Sequence, residues 1–165
     1  MAADVSYWIN ELSGPEPQRR AAAAEALAQM GREARPAAVT LVRAAGDEDE
    51  SVCEWASAAL EELGAPASED IEPLVELIRD RSSDCGYWAV TLLGRLEDRA
   101  APAVDALVWA LASHPQTAVR QRAAWALGKL GPGAKSAAAA LEKAAAGDDA
   151  RLARLAQRAL DEVLR

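Results

Sequence analysis

The sequence predicts an all-α superhelix of about ten antiparallel helices, and three observations carry that expectation. Helix formers dominate: 41 Ala and 19 Leu stand against 10 Val, 3 Ile and no Phe, a balance that favours helix over strand. One leucine recurs as Leu27, Leu60, Leu93, Leu127 and Leu160, at intervals of 33, 33, 34 and 33 residues. A second series, Leu41, Leu74, Leu107 and Leu141, keeps the same beat at 33, 33 and 34. Self-similarity at a fixed period of this size marks a repeat architecture, in which each unit is one supersecondary element stacked on its neighbours. The length of 165 residues fits one such domain over 1–165.

The elements follow in chain order. The first-series leucine is flanked by small or apolar residues at four positions before it (Ala23, Ala56, Ala89, Ala123, Ala156) and three after it (Met30, Leu63, Leu96, Leu130, Val163). At about 100° per residue these offsets form a single stripe, as on a buried helix face. Alanine in the middle of the stripe lets the next helix approach closely. Gly31, Gly64 and Gly131 follow each stripe, where a helix end favours a left-handed residue. Glu97 takes that place in the third unit, so that turn is expected to differ. A second helix then carries Ala38, Leu41 and Ala45, and later Ile71, Leu74 and Ile78, then Val104, Leu107 and Leu111, then Ala138, Leu141 and Ala145. Stepping back one period lands on Val5, Trp8 and Leu12. The layout is therefore a lone second helix, four full pairs, and a lone first helix over 150–165. The extra residue falls in the connector 112–118. The half unit at each end fits a complete capped solenoid or one domain of a larger chain.

Composition excludes several functions. No apolar run is long enough to span a membrane, and the start has no basic leader followed by an apolar stretch. Two cysteines, Cys53 and Cys85, make no disulfide framework, so a reducing, cytoplasmic setting is expected. The single histidine, His114, precedes Pro115 in a connector and is expected to be solvated. With one histidine and two distant cysteines the chain lacks the ligand spacing of a zinc site. No phosphate loop or nucleophile elbow is present. Neither a cofactor nor catalysis is expected.

Val119-Arg-Gln-Arg-Ala-Ala-Trp-Ala-Leu-Gly-Lys-Leu-Gly131 resembles the first helix of a HEAT repeat, specifically the short subtype found in PBS lyases. Asp70-Ile-Glu-Pro-Leu-Val-Glu-Leu-Ile-Arg-Asp80 resembles its second helix. The resemblance covers nearly the whole chain and implies a fold used by many unrelated scaffolds. It implies that second helices line a concave face. It also implies an arginine seven residues before the first leucine, paired with an acidic turn residue. Arg20 and Arg120 keep that arginine; Cys53, Gly86 and Ala153 replace it, so the middle units are expected to have lost this ladder. Similar proteins include phycobilin lyases, which makes a chromophore-handling role the alternative function.

The leading expectation is a non-enzymatic protein–protein interaction scaffold. The outward positions of the second helices supply its contacts: Trp109 first, as an aromatic anchor, with Arg43, Glu76, Arg79 and Lys143 as further contacts. Tyr7 joins the same surface from the terminal helix, three units away, too far to share a small-molecule pocket with Trp109. Trp55 and Trp88, one period apart, are expected to pack between repeats. Trp125, beside Arg122, either stacks under that arginine or marks a contact on the opposite face. Charge is uneven. Residues 44–84 hold two basic and thirteen acidic groups, net −11, while 115–165 hold nine basic and five acidic groups, net +4. This argues against a nucleic-acid groove, which needs clustered cations. It points to a protein or peptide partner, basic where it meets the acidic stretch, and to either a monomer or weak head-to-tail self-association.

Overall fold

In the computed structural model, residues 4–80 and 82–165 are described. All regular structure among them is helical, in two compact units, Met1–Asp70 and Ile71–Arg165.

The first unit contains α1 (Val5–Leu12), α2 (Pro17–Met30), α3 (Ala38–Ala44) and α4 (Glu50–Glu62). Pro17 opens α2, where its missing N–H has no helical partner to lose. Asp49 starts α4 by accepting from the Val52 N–H at 3.2 Å, the standard side-chain cap. Helix α2 packs on both α1 and α4, and α3 on α4. Ala23, Leu27, Leu41, Ala56 and Leu60 are fully buried. Each leucine contributes about 1.5–3 kcal/mol by leaving water, and each alanine lets a neighbouring helix come close.

The second unit contains α5 (Ile71–Leu77), α6 (Ser83–Arg95), α7 (Val104–Ser113), α8 (Thr117–Leu130), α9 (Ala138–Ala145) and α10 (Ala150–Val163). Helices α6, α8 and α10 pack in series, and α7 and α9 pack on one another. Caps again come from the expected residue types. Ser82 accepts from the Cys85 N–H at 3.5 Å, and Asp149 accepts from the Arg151 and Leu152 N–H groups at 3.0 and 2.9 Å. Leu74, Leu93, Leu107, Leu127 and Leu141 are fully buried. Leu141 is the one residue of α9 in the core, which makes that helix the least anchored of the unit.

The turns between the helices of a pair correct one expectation. Glu97 adopts φ +56°, matching Gly31 at +54° and Gly131 at +55°. The same seven-residue 3-10 turn follows in all three cases, at Gly31–Ala37, Glu97–Ala103 and Gly131–Ala137. The turn that differs belongs to Gly64, with φ +80° and only a short 3-10 segment, Ser68–Asp70. The cause lies beyond the glycine. Seven and ten residues after their leucines, the three alike turns bury Ala34 and Ala37, Ala100 and Ala103, Ala134 and Ala137. The fourth places Ala67 and Asp70 there. A carboxylate cannot enter the dry slot of an alanine. Asp70 instead accepts from the Ala67 N–H at 3.0 Å, and partial burial raises its pKa. Packing of two alanines sets the turn, and Glu97 is held in a backbone region that costs a non-glycine residue about 1–3 kcal/mol.

Candidate partner-binding faces

On the second-helix face of the second unit, the structure brings two of the expected contact residues together. Arg79 lies just past α5 with its guanidinium 4.7 Å from the centre of the Trp109 ring on α7. The other side of this cluster is His114, whose ring meets Trp109 edge-on at 5.8 Å. Trp109 is half-buried and Arg79 exposed. A cation over an indole face is attracted by the ring quadrupole, so this tryptophan is held in one orientation. Lys143 is exposed on α9, which packs on α7, and Glu76 is exposed on α5. The remaining two residues belong to the first unit. Arg43 is exposed on α3, and Tyr7 on α1 is 49% exposed with its ring edge-on to Trp8 at 4.8 Å.

His114 is not the solvated loop residue its connector position suggested: it is 2% exposed. Its Nε2–H donates to the Ile78 carbonyl at 3.1 Å, and its Nδ1 accepts from the Gln116 N–H at 3.2 Å. Arg120 donates to the His114 carbonyl at 2.9 Å. Both ring nitrogens are satisfied only when the imidazole is neutral. Burial, helped by the Arg120 charge, moves its pKa below the usual histidine value. The space it fills is open because residue 86 is glycine: a Cβ there would lie 3.2 Å from Nε2 and 3.3 Å from the Ile78 carbonyl oxygen.

The first-helix face carries a second cluster. Arg122 on α8 lies between two aromatic rings, 4.2 Å from the centre of Trp125 and 4.9 Å from that of Tyr87. Its Nε–H donates to Thr91 Oγ1 at 2.7 Å, and the Thr91 hydroxyl donates to the Tyr87 carbonyl at 2.8 Å. Burial lowers the Arg122 pKa. Trp125 therefore stacks under its arginine. Next to it, between α8 and α10, runs a groove of about 490 Å³. Ala124, Gly128 and Ala159 are among its lining residues, with Trp125, Leu155, Lys129 and Arg158 around them and Glu97 also present. Sequence reasoning missed this groove. Its only trace was Trp125 on the outward side of its helix.

The two period-related tryptophans part company. Trp88 is buried as expected, but Trp55 is 39% exposed, so the inter-repeat packing role fits only the former. Cys85 is buried, and burial pushes its thiol up to about 11, which keeps it protonated and a poor nucleophile. Cys53 donates its S–H to the Asp47 carbonyl at 2.9 Å. Among the described residues no group of His, Cys, Asp and Glu is arranged to hold a metal ion. No helix there is long and apolar enough to cross a membrane.

Stacked pairs of antiparallel helices with a leucine–alanine seam define a helical repeat protein, and the comparisons agree. The family model for HEAT repeats matches residues 5–85 and 71–161. The chain belongs to the HEAT repeat family. It is similar to an engineered protein solved in a structural genomics programme, with 25% identity over 97% of this chain and 79% of that one, at a TM-score of 0.65. A designed armadillo repeat protein in complex with the peptide (KR)4 shares 21% identity, covers 96% and 81% of the two chains, and gives a TM-score of 0.67. The complex of CpcE and CpcF of phycocyanin lyase from Nostoc sp. PCC7120 shares 20% identity over 98% of this chain and 65% of that one, at 0.65. The last two likenesses carry the fold alone. No curated protein matches the chain.

Proposed function

We propose that the protein is a non-enzymatic interaction module that binds a protein or peptide through the second-helix face of its second unit, with Trp109 as the anchor. The observation that carries this reading is the Arg79–Trp109–His114 cluster. An indole already fixed by a guanidinium on its face and an imidazole on its edge gives up little freedom on binding, so more of its contact energy appears as affinity. Glu76 and Lys143 supply charges of both signs around it. Tyr7 and Arg43 form a separate candidate set on the first unit. The peptide-bound designed armadillo protein supports a peptide as a suitable ligand for this architecture.

No catalytic step belongs to this reading. The one imidazole has both nitrogens engaged with backbone, and the Cys85 thiol is protonated at neutral pH. The test is a comparison of wild type and Trp109→Ala against partners captured from the native host. A central aromatic anchor is worth about 2 kcal/mol or more, roughly thirtyfold in affinity. Equal binding of every captured partner by the two proteins would sink the anchor.

A further inference from the structure

The outer face of α10 carries Arg151, Arg154 and Arg158 beside Leu155. At about 100° per residue the three arginines fall within one narrow stripe. All three are exposed, and among the described residues none is in an ion pair. Leu155 and Arg158 also line the groove next to Trp125. The stripe therefore runs along the edge of a concavity with an aromatic wall. Glu97 and Glu162 also line that concavity, and Glu162 is paired with Arg165 at 3.0 Å.

Helix α4 has the opposite character. It lies in the segment with net charge −11, and Glu50, Glu54 and Trp55 on it are all exposed. Glu50 and Glu54 are one helical turn apart, as are Arg154 and Arg158. At about 1.5 Å per residue both pairs span about 6 Å along their helix axes. Trp55 follows directly on Glu54, and its indole is 39% exposed.

We propose that the α10 face and its groove are a docking site for α4 of a second copy of this chain. Glu50 and Glu54 lie against Arg154 and Arg158, and Trp55 enters the groove between Trp125 and Leu155. Exposed ion pairs contribute little affinity by themselves. Their part is to steer and register the encounter, while burial of Trp55 supplies most of the attraction. The contact is heterologous, since the two surfaces differ, so each copy offers one of each and can pass the association on.

The test is sedimentation velocity across a concentration series, with circular dichroism confirming that every variant is helical. Wild type should associate at roughly micromolar to millimolar concentration in low salt and associate more weakly as salt approaches about 1 M, where the screening length falls to about 3 Å. Arg154→Glu/Arg158→Glu and Glu50→Arg/Glu54→Arg should each sediment as monomers. An equimolar mixture of the two should associate again, because the unaltered α4 of the first meets the unaltered α10 of the second and the two reversed faces match as well. Trp55→Ala should weaken association about tenfold or more. Wild type that stays monomeric throughout, double variants that associate like wild type, or a mixture that does not recover would each overturn the proposal. Trp109→Ala should associate normally, so this inference and the peptide-binding reading fail independently.

Discussion

The same place in the repeat is built in two ways in the two units. In the first, Arg20 lies seven residues before its leucine. It forms a bidentate pair with Asp47, both N–H···O distances 2.8 Å, while donating to the Gly14 and Pro15 carbonyls. In the second, the arginine position is Gly86, and thirteen residues before the next leucine stands His114 instead of an aspartate. There a neutral ring bonded to two backbone groups occupies the gap left by the missing side chain. One region closes its turn with opposite charges and the other with a buried imidazole. A ladder residue lost from a repeat thus need not leave a void; a change in the facing turn refills it. Arg120 shows a third outcome, keeping the arginine but spending it on the His114 carbonyl and the Thr117 hydroxyl.

The largest effect should come from forcing the first solution onto the second site. Gly86→Arg pushes a side chain into His114 and the Ile78 carbonyl, and overpacking of this kind costs about 1–3 kcal/mol. Denaturant unfolding should show that loss, and the double variant Gly86→Arg/His114→Asp should recover part of it by recreating an arginine–aspartate pair. A double variant no better than the single one would mean that the two arrangements are not interchangeable.

The two sites should also separate by pH. His114 has its pKa lowered in the fold, so below about pH 6.5 the unfolded chain binds a proton that the folded chain resists, and stability falls as pH drops through that range. Asp47 has its pKa lowered chiefly by the Arg20 hydrogen bonds. Its contribution is intact above about pH 4 and fades only as pH falls through its folded value. Replacing His114 with Gln should flatten the stability profile between about pH 7 and 5 and leave the more acidic limb in place, as read by thermal unfolding at a series of pH values. The smallest effect is a gain: Glu97→Gly relieves the positive φ and should stabilise the protein by about 1 kcal/mol, visible as a raised denaturation midpoint. No change would show that Glu97 is compensated by contacts of its own.

Most of the helix pattern was legible because leucine and alanine at fixed offsets encode both helix phase and helix approach. The turns were less legible. A glycine reads as a turn signal, yet the conformation at 64, 97 and 131 follows the residues seven and ten after the leucine, which pack against other helices. Burial of His114 was hidden for the same reason, since its slot is created by the absence of a side chain at Gly86, 28 positions earlier. The exposed and buried fates of Trp55 and Trp88 differ although their offsets are identical, because an offset fixes a direction and not what stands there. The second-helix candidates came from direction, and contact between Arg79 and Trp109 was not encoded in it.

The seam of the second unit has a mechanical consequence. A Cβ at Gly94 would run into Trp125 Cζ3, and one at Gly128 would lie 3.1 Å from the Ala159 Cα. The spacing of α6, α8 and α10 is therefore set where two hydrogens replace two methyl groups. A methyl group at Gly128 should press on the α10 backbone at Ala159, and one at Gly94 on the Trp125 ring and on the α8 backbone at Ala126, 3.1 Å away. The pitch of this unit is a quantity that single-carbon changes at residues 94 and 128 can adjust in small steps.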